Sequence, residues 1–140
     1  MKRQHFFTLA AIVPGLFGLV MMLVPQVMLT NSLVVSADET TRVVTQWVGF
    51  SVFSLAVINY LARNDPGSPA LRAVILGNIL FHGLGIGFDV YDYSAGFMKI
   101  SGLVSGLIPH LLLTLGFIYF MRELPTPESR QRKTKSGISY

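Results

Sequence analysis

The chain contains no cysteine. That excludes disulfide frameworks, thiolate metal sites and cysteine nucleophiles together. Charge is scarce as well. Only 13% of the 140 residues are charged, against about a quarter in a soluble domain. No phosphate-binding glycine loop, carboxylate pair or activated nucleophile is present, so a hydrolase or transferase has nothing to rest on and the chain reads as non-catalytic. What remains is apolar: 51% of the residues are hydrophobic and the mean hydropathy is +0.56.

The apolar residues fall in four long runs, at about Phe6–Leu29, Val43–Ala62, Pro69–Val90 and Ile100–Met121. Each holds roughly 20 residues, the length an α-helix needs to cross about 30 Å of hydrocarbon. Strand alternation is absent, and a membrane barrel needs about eight strands or more. The expected fold is therefore all-α, a four-helix transmembrane bundle filling residues 1–123, followed by a basic tail over 124–140 whose Pro125, Pro127 and lysine and arginine cluster read as disordered. Lys2 and Arg3 ahead of an apolar run, with Val35-Ser36-Ala37 beyond it, imitate a signal peptide. The run is too long for one and polar residues separate it from that site, so it reads as a retained first span. No spacing recurs between the two halves, and an inverted repeat is not indicated.

Local chemistry marks the boundaries. Ser36 and Glu39 have the spacing of a capping box ahead of the second span. Asp65-Pro66-Gly67 reads as a turn, and Ser68-Pro69 as an N-cap with proline at the first helical position. The second and third helices are thus tightly connected and antiparallel.

Lysine and arginine decide orientation. Lys2, Arg3, Arg63, Arg72, Arg122, Arg130, Arg132, Lys133 and Lys135 lie on one side, and only Arg42 and Lys99 on the other. By the positive-inside rule both termini are expected in the cytoplasm. The same placement makes the lipid bilayer the expected partner, with attraction of the tail to anionic lipid, and makes nucleic acid an unlikely one.

Small residues suggest how helices associate in lipid, where close backbone packing substitutes for the hydrophobic effect. Gly83 and Gly87 form one G-x-x-x-G, and Gly102 and Gly106 another, flanked by Ser101 and Ser105. These glycines are expected to pack the helices of one bundle; the alternative is a face for a homo-oligomer or a larger membrane complex. Trp47, near a span boundary, reads as an interfacial belt residue.

Polar residues inside spans are the candidate functional positions. Asn78, His82 and Asp89 share a stripe with Gly85 about 60° wide, at about 100° per residue. His82 lies about 20 Å along its helix and Asp89 about 10 Å beyond, too far for a direct bond, whereas Asn78 is one turn from His82 and can reach it. His110, about 15 Å into the fourth span, shares a face with Lys99, Gly106 and Thr114. Running in opposite directions, the last two helices bring both histidines to the middle third of the membrane. Three roles compete for the pair: two neutral imidazoles bonded across a helix interface, a polar cavity for a quinone, a lipid headgroup or a proton path, and a metal or haem. Two histidines are an incomplete zinc site, and a haem between tightly connected helices needs them splayed beyond the usual 8–10 Å spacing. No cofactor is therefore expected.

The runs Leu80-Phe81-His82-Gly83, Phe88-Asp89-Val90-Tyr91, Ser94-Ala95-Gly96, Gly102 and Gly116-Phe117-Ile118-Tyr119-Phe120 resemble small bacterial four-helix membrane proteins, broadly the DoxX-like group, over roughly Val44 to Met121. The resemblance implies a multi-pass protein of the bacterial inner membrane. That group usually carries an arginine in its first helix, and this chain has none between Arg3 and Arg42, so a quinone-linked redox role is not carried over with the location. The expected function is a small accessory or binding protein, associated with a membrane redox or transport system; the alternative is a small channel or proton conductor using Asn78, His82, Asp89 and His110.

Overall fold

A computed structural model describes residues 1–34 and 38–124. Among them are five helices: α1 (Arg3–Leu23), α2 (Pro25–Ser32), α3 (Glu39–Ala62), α4 (Pro69–Ser94) and α5 (Ile100–Glu123). The architecture is all-α, and the four longer helices are long and apolar enough to cross a membrane. The expected tail over 125–140 lies outside the described residues.

The first apolar run is not one helix. α1 ends at Leu23, Val24 adopts φ −137° and ψ 55°, and α2 starts with Pro25 at its first turn. Proline disfavours helical backbone in the residue before it and has no N–H to continue the ladder. The run to Leu29 therefore becomes a span and a separate short helix.

The other ends are fixed by their caps. α3 begins two residues after Ala37 with Asp38 as N-cap, its carboxylate accepting from the Thr41 N–H at 2.7 Å and the Thr41 hydroxyl at 2.6 Å. The capping box expected from Ser36 is not what starts this helix: Glu39 is its first residue, and Ser36 lies outside the described residues. At the α3–α4 turn, Asp65 accepts from the Gly67 and Ser68 N–H groups and from the Ser68 hydroxyl, while the Ser68 hydroxyl caps Leu71 at 3.1 Å. Gly67 holds φ 107°, where a β-carbon is unfavourable.

The long helices associate as two pairs. α1 packs along α3 and α4 along α5, whereas α3 touches α4, and α1 touches α5, only sparsely. The α1–α3 contact is close because two glycines meet in it. A β-carbon on Gly18 would fall 2.8 Å from the Gly49 carbonyl oxygen, and one on Gly49 would fall 2.8 Å from that of Gly18.

The two pairs are joined differently at their two ends. At the end where α1 starts and α5 finishes lies a core of Phe6, Phe7, Leu71, Ile75, Phe117 and Phe120, with the Phe6 and Phe117 rings edge-on at 4.8 Å. Leu124 is buried there too, and its carbonyl accepts from Arg72 at 3.0 Å. The Arg3 guanidinium donates to the Asp65 carbonyl at the same end. At the opposite end α2 is laid against the start of α5: Leu33 bridges Met98, the Lys99 N–H donates to the Ser32 carbonyl at 2.8 Å, and the Ser101 hydroxyl donates to the Asn31 carbonyl at 2.6 Å.

Candidate functional site: an intramembrane histidine pair beside a cavity

The stripe on α4 divides into two assemblies. Asn78 is fully buried and bonds to Asn59 of α3, not to His82. The two amides donate reciprocally, at 2.9 Å and 2.8 Å, and each sends its remaining N–H to a backbone carbonyl: Asn59 to Ala10 on α1, Asn78 to Val74 on its own helix. All four amide hydrogens are placed and both side chains are fully buried, so no donor is left to offer a ligand. The pair is a fastener joining α1, α3 and α4. Asn78 therefore leaves the set of ligand candidates, with Asn59 of α3 as its partner.

One turn further along α4, His82 is 3% exposed and its Nδ1 lies 3.0 Å from Nδ1 of His110. The ring of His82 also lies parallel to Phe117, with centroids 6.2 Å apart. His110 fits because α4 has a glycine opposite it: a β-carbon on Gly85 would fall 2.6 Å from the imidazole. The third candidate follows the same pattern. Asp89 projects at Gly106 of α5, where a β-carbon would fall 2.8 Å from the carboxylate. Thus Gly106 makes room for a functional side chain, and Gly102 approaches the Ser32 carbonyl of α2.

The other glycine motif does not pack this bundle. A β-carbon on Gly83 or Gly87 would meet nothing within 4 Å, and both residues are exposed. The reason is angular: His82 and Gly85 face α5, which turns Gly83 and Gly87 to the outer surface. With Leu84, Phe88 and Tyr91 they line a shallow outer groove.

Between the two helix pairs lies a cavity of about 300 Å³. One wall carries His82, Asp89 and His110. The facing wall is apolar, with Val13, Pro14 and Phe17 from α1 and Val48 and Val52 from α3. Met21, Met28 and Met98 complete it near α2. Three buried polar atoms have no hydrogen-bond partner among the described residues: Nε2 of His82, Oδ2 of Asp89 and the Thr114 hydroxyl. No lysine or arginine lines the space. The Ser51 and Ser54 hydroxyls donate to the Trp47 and Phe50 carbonyls of their own helix.

The side of the cavity between α3 and α4 is sparsely packed. These helices are held by their turn and by Asn59–Asn78. Beyond that point, among the described residues, no hydrogen bond links the first half of α3 to the second half of α4. The seam faces the lipid-exposed surface, where Val48 and Phe81 are 44% and 38% exposed.

The histidines do not bracket a metal. Among the described residues no group of three histidine, cysteine or acidic side chains converges, so the pair is not a complete zinc site. α4 and α5 are also packed closely, with Gly85 against the His110 ring, and the separation a bis-histidine haem requires is not there.

No protein-family model matches the chain, and neither a curated protein nor a solved structure does so.

Proposed function

We propose that this chain is a small, non-catalytic binding protein of the bacterial cytoplasmic membrane, with both termini in the cytoplasm. It takes a hydrophobic small molecule with a polar end from the bilayer into the cavity between its helix pairs, and serves a membrane redox or transport system as an accessory component. The observation that carries this reading is the cavity: about 300 Å³, at the lower end of small-molecule pockets, which run to about 1,000 Å³. It has a mostly apolar lining and a few convergent polar groups, two of them with unpartnered buried atoms. An apolar body would fill the space against α1 and α3, and a polar end would satisfy His82 Nε2. The α3–α4 seam supplies a lateral entrance.

Proton conduction is the second reading, and the Nδ1–Nδ1 contact favours it. A proton crossing that bond exchanges the tautomers of both rings, so a proton taken at one Nε2 can be released at the other. A conductor also needs a wetted route from the pair to each face. On the side of the termini the route meets the Phe6–Phe7–Phe117–Phe120 core and the saturated Asn59–Asn78 pair, which offer water no free partner. This supports a closed binding cavity over a channel.

The test is extraction of hydrophobic small molecules from protein purified in native lipid particles, compared with Val52→Trp, which fills the cavity. Binding predicts a species that is enriched with the wild type and lost with the variant. Identical extracts from both would overturn the reading. Proton flux in liposomes that disappears in His82→Gln would favour the second one.

A further inference from the structure

We infer that the preferred occupant of this cavity is a lipophilic cation, an ammonium or similar centre carrying apolar groups, with Asp89 as its counter-ion. The inference rests on the binding reading above and specifies its ligand.

Three features of the cavity point to positive charge. First, Asp89 Oδ2 is buried against Gly106 with no partner among the described residues. A carboxylate oxygen sealed from solvent is costly unless something pairs with it. Among the described residues no lysine or arginine lines the cavity. Among the described residues the one salt bridge joins Arg42 to Glu39, and the Lys99 ammonium, at the start of α5, donates to the Thr30 carbonyl. Second, the place for this carboxyl group is built: α5 has a glycine where any side chain would collide with it. Third, the rest of the lining suits a cation with an apolar body. Phe17 and Phe81 are among the lining residues, and aromatic rings attract positive charge. Met21, Met28 and Met98 are flexible and polarizable and adapt to irregular shapes. His82, 3% exposed and with an unpartnered Nε2, also lines the cavity.

Alternative charge types fit less well. An anion would meet Asp89 with no lysine or arginine to offset it. A neutral molecule could donate a hydrogen bond to the carboxyl group but would not offset its charge. The titratable groups facing Asp89 are few: His110 from α5 and, from its own helix, His82 and Asp92. α1, α2 and α3 contribute no titratable side chain to the cavity.

The experiment uses two probes of one shape, benzyltrimethylammonium and neopentylbenzene, in which a carbon replaces the charged nitrogen. Calorimetric titration of the full chain in lipid nanodiscs, with empty nanodiscs as the partition baseline, should show both probes binding and the cation binding more tightly. Asp89→Asn should weaken the cation by about tenfold or more, a factor equal to about 1.4 kcal/mol, and leave neopentylbenzene within about twofold. A second measurement needs no variant: on the wild type, acidification that protonates Asp89 should weaken the cation and not its neutral counterpart. Neopentylbenzene binding without the cation, or a cation affinity unaffected by both Asp89→Asn and acid, would overturn the inference and leave the cavity reading standing. If neither probe binds, both fall.

Discussion

The Nδ1 atoms of His82 and His110 lie 3.0 Å apart across the α4–α5 interface, so one ring donates, the other accepts, and the two imidazoles hold complementary tautomers. A pair of this kind is strongly coupled, because loss of either ring leaves a buried nitrogen unpaired. His82→Leu should lower stability by about 1–3 kcal/mol, read as a lower unfolding midpoint in detergent. His82→Gln retains a donor and an acceptor and should stay within about 1 kcal/mol of the wild type. The double substitution with His110→Leu should lose less than the sum of the single ones; strict additivity would show that the contact contributes nothing.

The Asn59–Asn78 pair should show a larger effect of the same kind, since both amides are fully buried. Asn59→Leu is expected to cost about 2–4 kcal/mol by stranding the Asn78 amide, and Asn59→Leu with Asn78→Leu should recover a good part of it. The measurement is reversible unfolding in mixed micelles. An Asn59→Leu protein as stable as the wild type would remove the pair as the fastener of the two halves.

Glycine substitutions should separate the packed positions from the open ones. Gly18→Ala and Gly49→Ala place a methyl group 2.8 Å from backbone oxygen of the facing helix, and should destabilise by about 1–3 kcal/mol. Gly83→Ala and Gly87→Ala meet nothing and should be neutral, or stabilising by up to about 1 kcal/mol through helix propensity. The reverse order in a thermal-shift series would contradict the packing described for α1, α3 and α4.

Asp65 gives a pH dependence outside the membrane. Hydrogen bonds from the Ser68 backbone and side chain hold its carboxyl below the usual value of 3.8, with smaller help from Gly67 and the charge of Arg3. A depressed folded-state pKa stabilises above the unfolded value, and that contribution is lost as pH falls through the lowered one. Stability should therefore decline on acidification below the ordinary carboxylate range, and Asp65→Asn should flatten that part of the profile.

Orientation can be checked directly. Reporter fusions after Tyr140 and in the connection near Thr40 should label opposite sides of the membrane, the first in the cytoplasm. Labelling of the same side would contradict four crossings.

The sequence by itself determined the properties that depend on local chemistry. Hydrophobic length set the four spans, Ser68-Pro69 set the start of α4, and the 100° step set the face shared by His82, Gly85 and Asp89. Each is a property of neighbouring residues, readable without knowing what lies opposite. Pro25 belongs to the same class: its break of the first run has a local cause, outweighed in the sequence reading by continuous hydropathy. Tertiary structure alone decided the partners. A stripe on one helix specifies a direction, not the side chain that meets it, so Asn78 reached Asn59 across α3 and left His82 to His110. The glycines divided for the same reason. A missing β-carbon permits close approach at Gly83 and Gly102 alike, but only the arrangement of the helices puts a neighbour against Gly102 and turns Gly83 outward. The cavity is the least local feature of all, because it exists where two well-packed pairs fail to meet, and no single segment encodes that gap.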